Sequence, residues 1–286
     1  FLIQTWSLMM LPISLIGWVI QLLIFIGRYN IHFIIPFCAF FSCLTLALSA
    51  YGVFIRRKWL RLRYQDLPIA KLPASFHGYK IVHLSDLHVS NFTRLAWLAR
   101  YVKRINDFMP DLIVITGDLL TFGDHFLQEL ISFLSQLRAR DRIVFCTGNH
   151  DYFVTTSKLL ESLQAISVHV LDNTCINIQR GDAHIVVGGL TGIVDDLKIQ
   201  TKLLNQLLQT ISPNAVLLLL IHDPTAFFIY QRPGATLIFS GHTHGGQLAI
   251  PFFPRFNLAA FRYPYNVGLY QRDHHYLNVH RGMGTI

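Results

Sequence analysis

Gly241-His242-Thr243-His244-Gly245-Gly246-Gln247 decides the reading of this 286-residue chain. It follows Thr236 to Phe239, a continuous apolar run of the kind found in strands buried on both faces. Four motifs precede it in a fixed order: Asp86-Leu87-His88, Gly117-Asp118, Gly148-Asn149-His150-Asp151 and the single His222. Each also follows an apolar, strand-like run. Residues two apart in an extended segment point to one side. Asp86 with His88, and His242 with His244, are therefore expected to reach one site from opposite walls. Asp118 is a lone carboxylate whose two oxygens can bridge two cations, and Asn149 offers a neutral carbonyl oxygen. The set Asp86, His88, Asp118, Asn149, His222, His242 and His244 is oxygen and nitrogen chemistry that Mn²⁺, Fe or Zn²⁺ accepts. Two such cations held close together suit attack on phosphorus. His150, with Asp151 beside it, reads as a general acid or base oriented by a carboxylate. Any one motif alone is explained by a turn or an edge histidine; five in order are not.

These residues resemble the calcineurin-like metallophosphoesterases, over about residues 79 to 286. The resemblance implies a four-layer αββα sandwich with metals at the carboxyl ends of its strands. It implies that one ion takes Asp86, His88, Asp118 and His244, and the other Asp118, Asn149, His222 and His242. A water between the ions would be the nucleophile, and His150 would protonate the leaving oxygen or steady the transition state. The longer string through Gln247 is similar to a membrane-tethered branch that includes bacterial UDP-2,3-diacylglucosamine hydrolases of lipid A synthesis. Two departures stand out. Ser90 replaces a glycine common two residues after the first histidine. Relatives also continue past the Arg-Gly-Met-Gly-Thr stretch that ends here at Ile286, and Phe1 is not a start Met, so both ends are expected to be incomplete.

Residues 1 to 55 carry one formal charge, Arg28. Two apolar stretches flank it, about Thr5 to Ile26 and Ile31 to Ile55, each longer than the ~20 residues that cross a bilayer as a helix. Together they predict a transmembrane helical hairpin over 1–55; a secretory signal would need one short apolar core instead. Residues 56 to 63 hold five positive charges and no negative one, of a formal net charge of +8 for the chain. The basic balance is thus a membrane flank and not a nucleic-acid footprint, and the positive-inside rule places the domain after it in the cytoplasm, at the inner membrane. The bilayer is one expected partner and a lipid-linked phosphate the other; no nucleic acid is expected. Four cysteines show no zinc or disulfide spacing.

Three segments follow from this pattern: the hairpin 1–55, a basic interfacial linker 56–78, and a phosphoesterase domain 79–286. Within the last, strands are predicted over Tyr79 to Ser85, Leu112 to Thr116 and Ile143 to Thr147, with helices between them. A hairpin is predicted around Arg180-Gly181-Asp182, a helix over Asp195 to Gln209, and strands over Val216 to Ile221, Thr236 to Phe239 and Tyr276 to His280. His83 reads as a core histidine, with a place behind the metal ligands as the alternative. Pro251 to Tyr265 packs Phe252, Phe253, Arg255 and Arg262 just after the last motif. It reads either as a loop touching membrane or acyl chains, with arginines meeting phosphate, or as an ordinary packed loop. The expected activity is hydrolysis of a phosphoester or pyrophosphate by two divalent cations, Mn²⁺ before Fe or Zn²⁺. UDP-2,3-diacylglucosamine, cut to UMP and 2,3-diacylglucosamine 1-phosphate, is the first substrate expected by resemblance. Another phospholipid, nucleotide or phosphoprotein ester is the alternative, and a non-catalytic membrane scaffold the third reading.

Overall fold

The computed structural model describes Val19 and residues 34–55, 62–91, 95–192, 197–228, 230–246, 249–250 and 253–284. The chain divides into two units, Phe1–Tyr64 and Gln65–Ile286. In the first, helix α1 (Ile34–Ala50) runs on into a π-helical turn, Tyr51–Ile55. Among the described residues no helix is long and apolar enough to cross a membrane. The first expected span, Thr5 to Ile26, lies outside the described residues except for Val19, and the second is described only from Ile34.

The second unit opens with strand–helix alternation: β1 (Ile81–Leu84), α2 (Leu95–Asp107), β2 (Leu112–Thr116), α3 (Leu127–Leu134), β3 (Arg142–Cys146), α4 (Thr156–Ala165) and β4 (Val168–Val170). These strands form an all-parallel sheet in the order β1-β2-β3-β4. A hairpin follows, β5 (Thr174–Arg180) and β6 (Ala183–Gly189), then α5 (Leu197–Gln209), β7 (Leu217–Leu220) and β8 (Thr236–Ser240). A short ribbon of β9 (Ala249–Ile250) and β10 (Phe253–Asn257) leads to β11 (Gly268–Arg272) and β12 (His275–Val279). The second sheet has the order β11-β12-β8-β7-β6-β5; its four inner strands are parallel and its two edge pairs antiparallel.

Alternation along the strands sorts the core into layers. Leu112, Val114, Val144, Cys146, Ile185, Val187, Leu218, Leu220, Leu237 and Phe239 form one apolar cluster between the sheets. Leu217, Leu219, Ile238 and Leu277 point the other way and pack with Leu204 and Leu207 of α5. Ile113 and Ile115 also turn from the intersheet cluster and are equally buried. The helices that connect the first sheet's strands bury Val102, Ile105, Leu130, Leu134, Leu159 and Leu163. Helix, sheet, sheet and helix thus follow one another, as short parallel crossovers require.

Two expectations need correction. Residues 65–78 are not a free linker: Phe76 is fully buried, Leu67, Ile69 and Leu72 pack on the intersheet cluster, and Tyr276 Oη donates to Pro68 O at 3.3 Å. Apolar residues among the prolines made the difference. The strands β4, β9, β10 and β11 were also not anticipated, being short or weakly patterned.

The sheets are stapled at the amino ends of β2 and β3. Arg180, closing β5, donates to Asp111 at 2.7 Å and Asp141 at 3.1 Å, and Tyr79 Oη donates to Asp141 at 2.8 Å. The opposite pole carries the motifs.

Candidate metal centre

Every motif sits at the carboxyl end of a strand. Asp86 and His88 follow β1, Asp118 follows β2, Asn149 and His150 follow β3, His222 follows β7, and His242 and His244 follow β8. One sheet supplies the first five and the other the last three. Asp86, His88, Asp118 and Asp151 are almost wholly buried, as are His222 and His244.

The expected extended backbone is not what aims them. Asp86, His88, Asp118, His242 and His244 all have positive φ, between 42° and 67°. Left-handed backbone is rare for residues other than glycine and costs of order 1–3 kcal/mol at each position. Five such residues in one cleft mark a site at which packing overrides local preference. The glycines serve the same crowding. A Cβ on Gly148 would overlap Asp118 Oδ1, and one on Gly241 would overlap Ser85 and Asp86.

Two clusters of potential ligands result: Asp86, His88, Asp118 and His244, and Asp118, His222 and His242. Their atoms lie close. His244 Nε2 is 3.0 Å from His88 Nε2 and 3.2 Å from Asp86 Oδ1. Asp118 Oδ2 lies 3.4 Å from His88 Nε2 and 3.1 Å from His222 Nε2. One oxygen of Asp118 therefore faces both clusters, while its Oδ1 accepts from His150 N–H at 2.8 Å. Asn149 Oδ1 accepts from His242 Nδ1 at 3.1 Å, which sets Asn149 beside the second cluster.

The donor set fits cations. His222 Nδ1–H donates to Thr116 O at 2.6 Å, which leaves the Nε2 lone pair facing Asp118. That Nε2 is buried and makes no hydrogen bond, although Asp118 Oδ2 is 3.1 Å away. Two acceptors aimed at one point call for a cation or a proton between them. The electrostatics of the cleft make the same demand. Burial pushes Asp86 up to about 7, with the Asp118 charge adding to it. Burial would raise Asp118 too, but His222 and then His88 hold it well below the usual carboxylate range. Burial pulls His222 down, yet the charges of Asp118 and Asp86 override it and push the ring up to about 10. Burial and then His88 drive His244 down to about 3, which keeps its nitrogen free to ligate.

Asp151 does not orient His150. Its carboxylate accepts the backbone N–H groups of Asp118 and Leu119, each at 2.9 Å, and of Gly148 at 2.8 Å. It clamps the loop after β2 to the loop after β3, a role the sequence hid by placing it beside His150. The His150 ring is instead oriented by Thr121 O, to which Nδ1 donates at 3.1 Å. Tyr263, within the aromatic stretch Pro251 to Tyr265 that the sequence places just after the last motif, has its Oη 2.9 Å from His242 Nε2.

Of the aromatic loop, Phe252 lies outside the described residues, and Phe253 and Arg255 are described only as backbone of β10. Arg262 is exposed, its guanidinium 5.7 Å from the Tyr263 ring centroid. Phe261 is 91% exposed.

Comparison with known proteins adds the following. A model of the calcineurin-like phosphoesterase family matches residues 79–246. A "Transmembrane protein with metallophosphoesterase domain" from Bos taurus is 32% identical over 79% of this chain and 53% of its own. The chain thus spans about half the length of that relative. The "Uncharacterized metallophosphoesterase YkuE" of Bacillus subtilis (strain 168) is 31% identical over 82% of each chain. A "UDP-2,3-diacylglucosamine pyrophosphatase LpxG" from Chlamydia muridarum is 25% identical over 69% of this chain and 72% of its own.

Proposed function

This chain belongs to the calcineurin-like phosphoesterase family, and we propose that it is a metal-dependent hydrolase of a phosphoester or pyrophosphate bond, held at the cytoplasmic face of a membrane. One observation carries the reading: residues from two sheets converge as two ligand clusters that share Asp118 Oδ2. Asp86, His88, Asp118 and His244 would hold one divalent cation, and Asp118, Asn149, His222 and His242 the other. Bound cations would make a water nucleophilic near neutral pH and neutralise phosphate oxygens, with Mn²⁺ proposed ahead of Fe and Zn²⁺. With its Nδ1–H committed to Thr121 O, His150 would pass a proton to the leaving oxygen from Nε2 in its cationic form, and be left neutral with Nε2 bare. Asp151 acts on chemistry only by fixing the loop that carries Asp118 and the turn that carries Asn149.

The membrane reading rests on the near-chargeless first 55 residues, the five cations after them, and the likeness to proteins named as transmembrane. It proposes the helical hairpin over 1–55. The substrate reading goes further: UDP-2,3-diacylglucosamine, hydrolysed to UMP and 2,3-diacylglucosamine 1-phosphate. Its support is the likeness to LpxG and a set of exposed aromatics by the site. Phe153, 53% exposed, sets its ring 5.2 Å from that of His150, and Phe261 precedes Tyr263 by two residues. Phe252, Phe253, Arg255 and Arg262 are proposed to meet the acyl chains and phosphates.

The test is a substrate panel in detergent with Mn²⁺: UDP-diacylglucosamine, phospholipids, bis(p-nitrophenyl) phosphate and p-nitrophenyl phosphate. Release of UMP from the lipid nucleotide is the expected result. Cleavage of the small soluble esters alone defeats the lipid reading, and a protein that binds Mn²⁺ yet cleaves nothing defeats the hydrolase reading.

A further inference from the structure

Behind the ligands runs a line of hydrogen-bonded side chains, partly buried at Asn278 and His83 and fully buried at Thr116, Ser85 and Asp86, in which Ser85 Oγ also approaches Thr116 O at 3.1 Å. It starts on β12, where Asn278 Nδ2 lies 2.9 Å from His83 Nδ1. An amide nitrogen only donates, so His83 Nδ1 accepts and the ring carries its proton on Nε2. That Nε2 lies 2.8 Å from Thr116 Oγ1. Having accepted there, Thr116 donates its single hydroxyl proton to Ser85 Oγ at 2.8 Å. Ser85 Oγ in turn donates to Asp86 Oδ2. Asn278 is on the second sheet, His83 on β1 and Thr116 on β2, so the chain crosses the core between the sheets before it reaches the metal cleft.

We propose that His83 is a positioning residue for Asp86, acting through Thr116 and Ser85 along a hydrogen-bond relay that begins at Asn278. The relay occupies the outer oxygen of the carboxylate. Together with the His242 N–H, 3.0 Å from Oδ1 and 3.2 Å from Oδ2, it sets the carboxylate's rotation so that Oδ1, 3.2 Å from His244 Nε2, faces the first ligand cluster. His83 suits the task because it is locked from every side. Its ring meets those of Phe239 and His280, each with centroids 5.1 Å apart. It must also stay neutral to accept on one nitrogen and donate from the other. Burial, reinforced by His280, keeps its pKa well below the ordinary histidine value. Any histidine withdrawn from water needs partners for both nitrogens; what sets this one apart is that its partner Thr116 passes the hydrogen bonds on through Ser85 to a carboxylate of the ligand cluster. Groups that hold a ligand from behind typically contribute 10- to 100-fold in metal affinity.

The proposal rests on the two-cation reading above, and the experiment separates the two. Full-length protein in detergent is stripped of metal and titrated with Mn²⁺, followed by calorimetry and by the electron paramagnetic resonance of bound Mn²⁺. Ser85→Ala, His83→Leu, Asn278→Leu and the double variant Ser85→Ala/His83→Leu are compared with the parent. Each single variant is expected to weaken one of two Mn²⁺ sites by roughly 10- to 100-fold. The double variant is expected to be no weaker than about threefold beyond Ser85→Ala alone, because the relay is already cut. Full additivity, or unchanged affinity in both His83→Leu and Asn278→Leu, overturns the relay while the metal centre stands. If His83→Leu does not fold, Asn278→Leu takes its place in the cycle with the same criteria. A parent protein that binds no Mn²⁺ overturns the metal reading and the relay together.

Discussion

Asp118 concentrates the burden of the site in one oxygen. Oδ2 faces His88 on one side and His222 on the other, while Oδ1 is spent on the backbone of His150. Loss of a group behind a ligand already costs roughly 10- to 100-fold in metal affinity. Asp118→Ala should therefore lower Mn²⁺ affinity at both sites by more than ~100-fold and abolish hydrolysis; calorimetric titration that finds one intact site refutes the sharing. His150 is different, since it contributes no ligand atom to either cluster. His150→Ala should leave both Mn²⁺ affinities unchanged and lower kcat by ~100- to 10,000-fold, the range of general acid–base catalysis. An unaltered kcat would remove His150 from the proton transfer.

At the scale of elements, Asp151 is a joint between loops. Its carboxylate gathers three buried N–H donors from the segments after β2 and β3. Leaving buried donors unsatisfied costs about 1–3 kcal/mol apiece before any relaxation. Asp151→Ala should therefore destabilise the folded domain by about 3 kcal/mol or more, read as a fall in the urea midpoint at unchanged slope. The same residue shows where sequence reading runs out. The strands that carry ligands were legible, because β2, β3, β7 and β8 are unbroken apolar runs closed by Gly117, Gly148, His222 or Gly241. The residues that converge in the cleft were legible for the same reason. What joins the loops was not, because two of the three partners of Asp151 lie 33 and 32 residues away in the chain. The left-handed backbone of Asp86, His88, Asp118, His242 and His244 was equally hidden. Asp and His tolerate that backbone better than most residues, but the tolerance does not say where it is used, and tertiary crowding selects these five positions. His83 is only partly buried, and its two hydrogen-bond partners come from other strands, so only the fold reveals them.

For the whole molecule, stability is linked to pH and metal together. Asp86 and Asp151 both titrate near 7 when folded, against ~3.9 when unfolded. Their folded pKa is raised, so the stability they lend is fully present below pH ~4 and is lost as pH rises through about 7. Asp118 has the opposite sign: its lowered pKa lends stability above its unfolded value that is lost on acidification. Cations replace protons at these ligands, so their binding strengthens as pH rises. The gain in Tm on adding Mn²⁺ to EDTA-treated protein should thus be larger at pH 8 than at pH 5.5. A larger gain at pH 5.5 contradicts the assignment.

The Arg180 staple gives the molecule two unlike poles. At one, a guanidinium made by the chain itself fastens sheet to sheet, whatever the surroundings supply. At the other, the chain's own bonds between sheets, such as His222 Nδ1–H on Thr116 O, still leave Asp118 Oδ2 and His222 Nε2 facing one another, and bound cations would add a second fastening there. In a cell short of divalent cations that pole would be the looser of the two, and proteases would find the chain there first, so that scarcity would shorten its life as well as idle it.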